Sequence, residues 1–369
     1  MPRDRTLTLV AFLTTIGALA GPTGAAEPNV ETGSINGAAF RIEVPAGWNR
    51  SLVMYCHGYR IPGAPVDPEG PPAKAFREVF LGRGFALAES EYSGRGWAVK
   101  EGVEDTEALR RYFGSRYGAP RETYVTGHSM GGVITVATVE RYPELYAGAM
   151  PLCGPLSPAL DFFEDRVFDM LVVFEHYFPG SVASPVDVPA DFQMGPAAEK
   201  AKAAVASKPE TAAMFARRYQ LKVADLPGVL AFWQVIMREL VERADGNPFD
   251  NRNTIYAGFD DDLAVNRGVK RYAASPEAVA YLRRYYTPTG RPSRPVLTVQ
   301  TVYDQLVTAR DVSYYDVLTA IAGQQDLFVQ KFVQADGHCN IAPPRVGAAF
   351  DELLGWLRDR KRPTPGEIP

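Results

Sequence analysis

The chain has 369 residues, of which 46% are hydrophobic and 22% charged, a composition that argues against general disorder. Its length allows one large or two modest globular units. The formal net charge of -4 and the absence of a long basic run exclude an electrostatic surface for nucleic acid, so no nucleic-acid partner is expected.

The N-terminal segment 1–26 has the pattern of a secretory signal peptide. Arg3 and Arg5 precede an apolar run over 7–20, and small residues follow as far as Ala26. The run is short for a membrane-spanning helix, so we expect cleavage after Ala26 and no stable membrane anchor afterwards. The protein is therefore predicted to be periplasmic or secreted, and an uncleaved N-terminal anchor is the alternative.

After this segment, short apolar runs alternate with helical patterns. The Asn36-Gly37 pair between 30–35 and 38–44 predicts a β-hairpin. Apolar runs predict further strands at 52–56, 85–88, 124–126 and 147–152, and the periodicity predicts helices at 73–83, 103–117 and 133–142. This alternation indicates an α/β protein with a mostly parallel sheet and helices on both of its faces.

The alternation stops at residue 155 and returns after residue 292. The intervening segment has only helical patterns, at 158–178, 196–207, 210–219 and 226–244. Beyond it, strands are predicted at 295–301 and 327–333, and helices at 312–322 and 345–358. The predicted domains are a first part of the α/β core (27–154), a helical lid or cap insertion (155–292), a second part of the core (293–360) and a frayed tail (361–369).

The most informative motif runs from Gly127 to Gly131 and reads Gly-His-Ser-Met-Gly. It matches G-x-S-x-G, in which a serine lies on a sharp turn between a strand and a helix. A predicted strand precedes the motif and a predicted helix follows it, as that turn requires. We therefore predict Ser129 as a nucleophile, and a glycine-rich turn opening an ordinary helix is the alternative.

A serine hydroxyl needs a neighbouring base to become a nucleophile at neutral pH. In chains with this elbow the order is serine, then an acid, then histidine. His338 is the one histidine late in the chain; the other three are His57, His128 and His176. We therefore predict His338 as the base.

The acid that orients the base should follow the strand predicted at 295–301. Asp304 fits this position. Asp311 is the alternative, although it begins the next helix and is explained more simply as a cap. Asp336 lies too close to His338 in sequence to be favoured.

The oxyanion of an acyl-transfer intermediate needs two fixed N–H donors. The residue after the nucleophile, Met130, supplies one, and the loop after the strand at 52–56 supplies the other. We predict Tyr59 as the second donor and Gly58 as the alternative, because the preceding glycine lets the backbone approach a substrate. His57 is expected mainly to organise this loop.

Together these residues resemble the α/β-hydrolase superfamily, and especially its exported bacterial esterase-like members. The matching segments are His57-Gly58, Gly127 to Gly132, Asp304 and Gly337-His338-Cys339. The resemblance implies an α/β-hydrolase fold with an eight-stranded, mostly parallel sheet, a helical lid after the sixth strand and an acyl-enzyme mechanism without a metal. The insertion is longer than the family's usual lid, which leaves the substrate open.

Three further side chains are candidates for substrate contacts: His57, His128 and Trp97. In the insertion, aromatic and methionine side chains either line a pocket for an apolar or aromatic acyl group or form the core of a helical subdomain. They are Met170, Phe174, Tyr177, Phe178, Met194, Met214, Phe215, Phe232, Trp233 and Met237.

No cofactor or metal is predicted. The run Asp260-Asp261-Asp262 lacks the spacing of a calcium loop and fits the start of a helix before Leu263. Three cysteines remain after the signal, Cys56, Cys153 and Cys339, so at most one disulfide can form within the chain. Three buried small side chains without any disulfide are the alternative.

The sequence thus predicts a serine esterase that hydrolyses a small carboxylic ester through a Ser-His-Asp triad. A peptidase or amidase would use the same residues, and an acyltransferase would deliver the acyl group to an alcohol in place of water. A binding protein that has kept the fold without catalysis is the fourth possibility.

Overall fold

The computed structural model describes residues 27–61 and 67–368 of the chain. The predicted signal peptide lies outside the described residues. Within the described part, no helix combines the length and the apolar character needed to cross a membrane.

Nine strands of the described part of the chain form one sheet, whose spatial order is β1-β2-β4-β3-β5-β6-β7-β8-β9. The strands are β1 (Asn29–Ile35), β2 (Ala38–Val44), β3 (Leu52–Cys56), β4 (Ala86–Ser90), β5 (Thr123–His128), β6 (Gly148–Leu152), β7 (Val296–Tyr303), β8 (Phe328–Asp336) and β9 (Gly366–Glu367). Only the pairings of β2 with β1 and with β4 are antiparallel. The predicted mostly parallel sheet is therefore confirmed, with nine strands where the resemblance implied eight.

Helices connect the strands and fill the segment between β6 and β7. They are α1 (Pro71–Leu81), α2 (Val99–Tyr117), α3 (Met130–Arg141), α4 (Ala159–Phe162), α5 (Asp169–Tyr177), α6 (Met194–Ser207), α7 (Pro209–Arg218), α8 (Leu226–Arg243), α9 (Asp262–Gly268), α10 (Pro276–Tyr286), α11 (Ala309–Ile321) and α12 (Pro343–Asp359). Shorter helical turns lie at Phe163–Phe168, Val223–Asp225 and Gln325–Leu327.

The hairpin between β1 and β2 turns at the predicted pair. Asn36 has φ 52° and Gly37 has φ 86°, so both central residues are left-handed, as a tight two-residue hairpin turn requires. Ile35 pairs directly with Ala38 across the turn. The hairpin adds an antiparallel edge to the parallel part of the sheet.

The tail differs from the frayed segment that the sequence predicts. Gly366 and Glu367 form β9 beside β8, and the Ile368 N–H donates to the Phe332 carbonyl at 2.8 Å. The Ile368 side chain is only 1% exposed. A single apolar residue near the end of a polar segment is thus buried next to β8. The polar composition of the segment does not predict this burial.

Between β6 and β7 lie seven α-helices, α4 to α10, and no strand within this described segment. The single helix predicted at 158–178 is divided by the π-helical turn at Phe163–Phe168. Periodicity predicts neither α9, which has only seven residues, nor α10, which is rich in arginine and tyrosine, although the acidic run predicts the helix start at which α9 begins. Asp261 caps α9 by accepting from the Ala264 N–H at 2.9 Å, which is the capping interpretation of the acidic run.

Candidate active site

Ser129 lies alone between the end of β5 and the start of α3, with φ 56° and ψ -120°. This left-handed backbone is unusual for a residue with a side chain and indicates a locally constrained turn. The turn is also crowded, because a Cβ atom on Gly131 would lie 1.9 Å from the Cys56 carbonyl oxygen. Glycine is therefore required there, and Ser129 projects from a sharp strand-to-helix turn as the motif predicts.

Three side chains meet at this turn. His338 Nε2 lies 2.7 Å from Ser129 Oγ, and His338 Nδ1 lies 2.8 Å from Asp304 Oδ2. The serine and the histidine are 209 residues apart in the chain. The Asp304 side chain is completely buried, whereas 17% of the His338 side chain remains exposed. The structure thus brings the predicted nucleophile, base and acid into one chain of hydrogen bonds.

The alternative acid, Asp311, lies elsewhere. Its Oδ2 accepts from the backbone N–H of Thr308 at 2.8 Å and from the Thr308 hydroxyl at 2.7 Å. The two residues form a capping box at the start of α11. Asp336 is also separate, since its carboxylate pairs with Lys222 of the insertion at 2.6 Å.

The loop that carries His338 is fixed on both sides. The Gly337 N–H donates to the Tyr303 carbonyl at 2.8 Å, and the Thr301 hydroxyl donates to the Gly337 carbonyl at 3.1 Å. Cys339 forms a disulfide with Cys153, just after β6. The disulfide therefore joins the histidine loop to the segment that leads from β6 into the insertion.

The third cysteine, Cys56, is buried, and burial raises the pKa of its thiol to about 12.

The loop after β3 passes beside the nucleophile. A Cβ atom on Gly58 would lie 3.3 Å from the Ser129 Cβ, so the backbone at this position is adjacent to the serine. His57 Nδ1 lies 2.7 Å from the Gly58 carbonyl oxygen, and its ring stacks on Tyr92 with centroids 4.0 Å apart. Burial lowers the pKa of His57 to about 3, which keeps the ring neutral at ordinary pH. These contacts place His57 within the loop structure.

Tyr59, which follows Gly58 in this loop, contacts helix α8 of the insertion. Its hydroxyl donates to Glu239 Oε1 on α8 at 2.8 Å, and the ring meets Phe232 edge-on at 5.5 Å between centroids. Trp97 is 2% exposed and packs between the Phe163 ring, 5.2 Å away, and the Tyr59 ring, 6.5 Å away. Tyr59 and Trp97 therefore lie together where the insertion covers the loop after β3.

The His128 side chain contacts Tyr55 and Phe76 rather than Tyr59 or Trp97. Its Nδ1 lies 3.1 Å from the Tyr55 hydroxyl, and its ring meets the Phe76 ring at 4.8 Å. Burial, followed by the charge of His338, lowers its pKa to about 4. The ring also borders a cavity of about 460 Å³ together with Ile341. Its predicted contact with substrate stays a prediction.

Six of the ten aromatic and methionine side chains singled out in the insertion are buried in a hydrophobic cluster that also includes side chains of the sheet. Those buried in the large hydrophobic cluster are Met170, Phe174, Phe178, Phe215, Trp233 and Met237. The other four, Tyr177, Met194, Met214 and Phe232, are only partly buried, and among these Phe232 reaches Tyr59. The core interpretation thus fits the six buried side chains, and the pocket interpretation stays a prediction for the other four.

Two polar residues of the site were not found from the sequence. Gln300, fully buried in β7, donates to Asp304 Oδ2 at 3.2 Å, and Glu239 accepts from Tyr59. Each has a local signal, since Gln300 interrupts an apolar strand and Glu239 follows Phe232 and Ile236 at helical spacing on α8. Among residues 27–61 and 67–368 there is no cluster of three side chains suited to a metal ion.

The insertion also contacts the loops of the acid and the histidine. The Tyr303 hydroxyl donates to Asp225 Oδ2 at 2.5 Å and accepts from the Lys222 N–H at 2.9 Å. Lys222 Nζ lies 4.3 Å from the centroid of the Tyr303 ring and pairs with Asp336. The segment before α8 is therefore joined to residues that adjoin both Asp304 and His338.

No protein-family model and no curated protein matches the sequence. Among solved structures, an esterase from Aspergillus oryzae is similar with a TM-score of 0.50 at 12% identity, over 90% of this chain and 80% of that one. Est1E from Butyrivibrio proteoclasticus, solved with ferulic acid, has a TM-score of 0.46 at 13% identity, over 88% and 97% of the two chains. The Pyrococcus furiosus esterase Pf2001 has a TM-score of 0.46 at 11% identity, over 89% of each chain.

Identities this low bear on the fold alone. The sheet order, the position of Ser129 between β5 and α3, and the similarity to the Aspergillus oryzae structure agree on one architecture. The chain has the α/β-hydrolase fold, as the sequence predicts.

Proposed function

We propose that this protein is a serine hydrolase that cleaves carboxylic esters through an acyl-enzyme intermediate. The observation that carries the proposal is the chain of hydrogen bonds from Ser129 Oγ through His338 to Asp304, with lengths of 2.7 and 2.8 Å. Asp304 holds the tautomer in which Nδ1 carries the proton, so Nε2 is free to accept the serine proton.

In the acylation step, Ser129 Oγ attacks the ester carbonyl carbon while His338 Nε2 takes its proton. The carbonyl π electrons move to oxygen, and the backbone N–H groups of Met130 and Tyr59 stabilise the resulting oxyanion, with Gly58 as the alternative to Tyr59. The intermediate then collapses, and the ester C–O bond breaks. The alkoxide leaves with the proton from His338 Nε2.

In the deacylation step, water attacks the acyl-serine and gives a proton to His338 Nε2. Collapse of the second intermediate releases the carboxylic acid, and Ser129 Oγ recovers its proton from the histidine. Asp304 accepts the hydrogen bond from His338 Nδ1 in both steps and so stabilises the imidazolium that forms twice in each cycle.

The substrate is proposed to be a small ester, and Phe232 is the side chain of the insertion best placed to contact its acyl group, since it reaches Tyr59. An amide substrate would use the same residues but has a poorer leaving group. Comparing the rates of hydrolysis of an ester and of an amide therefore tests the proposal that esters are the substrates.

We expect a nitrophenyl acetate or butyrate to be hydrolysed with kcat/KM at least about 100-fold above that of an amino-acyl nitroanilide with a matched chromophore. Ser129→Ala should lower ester turnover by at least about 1000-fold, because it removes the nucleophile while changing one hydroxyl at the turn. Its melting temperature should stay close to that of the wild type.

Anilide cleavage at comparable efficiency would favour a peptidase or amidase. Full ester turnover by the Ser129→Ala variant would contradict the proposed role of the serine. Transfer of the acyl group to an added alcohol in preference to water would indicate an acyltransferase.

A further inference from the structure

We propose that Glu239, on helix α8 of the insertion, is a positioning residue for the oxyanion-binding loop and acts through the side chain of Tyr59. The inference rests on the proposed function, in which the Tyr59 N–H is one of the donors to the oxyanion. Glu239 does not itself touch the reacting atoms.

Both carboxylate oxygens of Glu239 bind groups of the α/β core. Oε1 accepts from the Tyr59 hydroxyl at 2.8 Å, and Oε2 accepts from the Trp97 backbone N–H at 2.9 Å. The carboxylate is 180 residues from Tyr59 and 142 from Trp97 along the chain, and Glu239 is only 8% exposed. Hydrogen bonds to a buried carboxylate are among the stronger ones in proteins. Glu239 thus joins two separate loops of the core to one helix of the insertion.

The loop at Gly96 is shaped to admit this carboxylate. A Cβ atom on Gly96 would lie 2.4 Å from Glu239 Oε2 and 2.6 Å from its Cδ, and the φ of Gly96 is +72°. Both the left-handed backbone and the missing side chain are therefore needed for the contact. A side chain at position 96 would therefore displace the Glu239 carboxylate from the Trp97 N–H.

The Tyr59 ring is also held by α8. Phe232 meets it edge-on at 5.5 Å, and Phe232 and Glu239 are seven residues apart, which places them two turns apart on one face of the helix. One helical face therefore contacts both the ring and the hydroxyl of Tyr59. With the side chain fixed at both ends, the backbone at positions 58 and 59 has little freedom to move relative to Ser129, which is 3.3 Å from the Cβ position of Gly58.

The test compares Tyr59→Phe, Glu239→Gln and the double variant on the same nitrophenyl ester. We expect each single variant to lower kcat about 10-fold with KM changed less than about twofold, because a displaced oxyanion donor weakens binding of the transition state. The affinity for phenylboronic acid, which forms a tetrahedral adduct on the serine, should fall by a similar factor. The double variant should lose less kcat than the product of the two single losses, since both substitutions disturb the contact between Tyr59 and position 239.

Tyr315→Phe is the matched control. The Tyr315 hydroxyl donates to Glu140 Oε1 at the same distance of 2.8 Å, but the pair lies between α11 and α3, outside the proposed site. We expect this variant to keep kcat and phenylboronic acid affinity within about twofold of the wild type. Tyr59→Phe retains the ring and its packing, so it keeps the inference testable even where Glu239→Gln does not fold.

Wild-type kcat and phenylboronic acid affinity in both single variants would overturn the inference. A lower melting temperature with unchanged kcat and unchanged affinity for phenylboronic acid would also overturn it, because Glu239 would then stabilise the fold without positioning the loop. The proposed function fails separately, when the wild type neither hydrolyses the ester nor binds phenylboronic acid.

Discussion

At the scale of single residues, Asp304 has the most constrained side chain of the site. Its Oδ1 accepts from the backbone N–H groups of Leu306 and Val307, each at 2.9 Å. Its Oδ2 lies within hydrogen-bond distance of Gln300 Nε2 and His338 Nδ1. Four N–H groups around the buried carboxylate fix its orientation and with it the orientation of the imidazole. The carboxylate is thereby positioned before any substrate binds.

We expect Asp304→Asn to lower kcat by about 10³- to 10⁴-fold, because an amide at this position allows the wrong histidine tautomer. Asp311→Asn is the matched control. It alters the cap of α11 and weakens the ion pair with Arg166, whose Nε lies 3.7 Å from Asp311 Oδ2, but it changes no contact of Ser129 or His338. We therefore expect kcat within about threefold of the wild type and a loss of about 1 to 3 kcal/mol in the free energy of unfolding. Steady-state kinetics and urea unfolding measure the two effects. The reverse ranking of the two variants would assign the acid to Asp311.

The sequence predicts Ser129, His338 and Asp304 as site residues because each follows a local rule: a glycine-flanked turn, a position late in the chain and a position after a strand. No rule of this kind predicts the contacts of Glu239 and Gln300. The partners of Glu239 are 142 and 180 residues away, and nothing in a local pattern says which loop a buried carboxylate on α8 will meet. Such pairings become visible only when the insertion is seen packed on the core.

At the scale of elements, the histidine loop is joined to the end of β6 by the Cys153–Cys339 disulfide. The loop has no helix or strand of its own between β8 and α12, and Gly337 and Cys339 both have positive φ. A covalent link beside His338 therefore restricts a segment that otherwise depends on a few hydrogen bonds. The disulfide also restricts the segment around Cys153, which leads from β6 into the insertion.

We expect the double variant Cys153→Ala/Cys339→Ala to lose about 2 to 4 kcal/mol of unfolding free energy and to show a lower kcat, because His338 would be held less firmly. Reduction of the wild type with dithiothreitol should produce the same changes. Cys56→Ala is the control, since Cys56 is buried and free, and it should leave the effect of reductant intact. Unchanged kcat in the reduced wild type would show that the histidine loop keeps its place without the disulfide.

Strong periodicity predicts the elements of the α/β core to within a few residues, as for α2, predicted at 103–117 and observed at Val99–Tyr117. In the insertion, the helices predicted at 196–207, 210–219 and 226–244 are confirmed as α6, α7 and α8, whereas the helix predicted at 158–178 is divided and α10 is not predicted. The helices of the insertion pack against one another, so a π-helical turn at Phe163–Phe168 and the short α9 depend on tertiary contacts rather than on periodicity. The ninth strand likewise forms because Ile368 is buried against β8.

At the scale of the whole molecule, the parallel sheet explains why residues far apart in sequence meet. The strands β3, β5, β7 and β8 run in the same direction, so their carboxyl ends lie at one edge of the sheet. That edge carries the loop of Gly58, the turn of Ser129, Asp304 and the loop of His338. Helix α8 and the segment before it contact three of these loops. The insertion therefore contacts the loop after β3, the residue before Asp304 and the end of the strand that precedes His338.

The most direct test is labelling of the folded protein with a fluorophosphonate, followed by peptide mass spectrometry. The account predicts a single adduct on Ser129, formed at least about 100-fold more slowly in His338→Ala and abolished by prior unfolding. An adduct at another residue, or equally fast labelling of Ser129 without the imidazole, would contradict it.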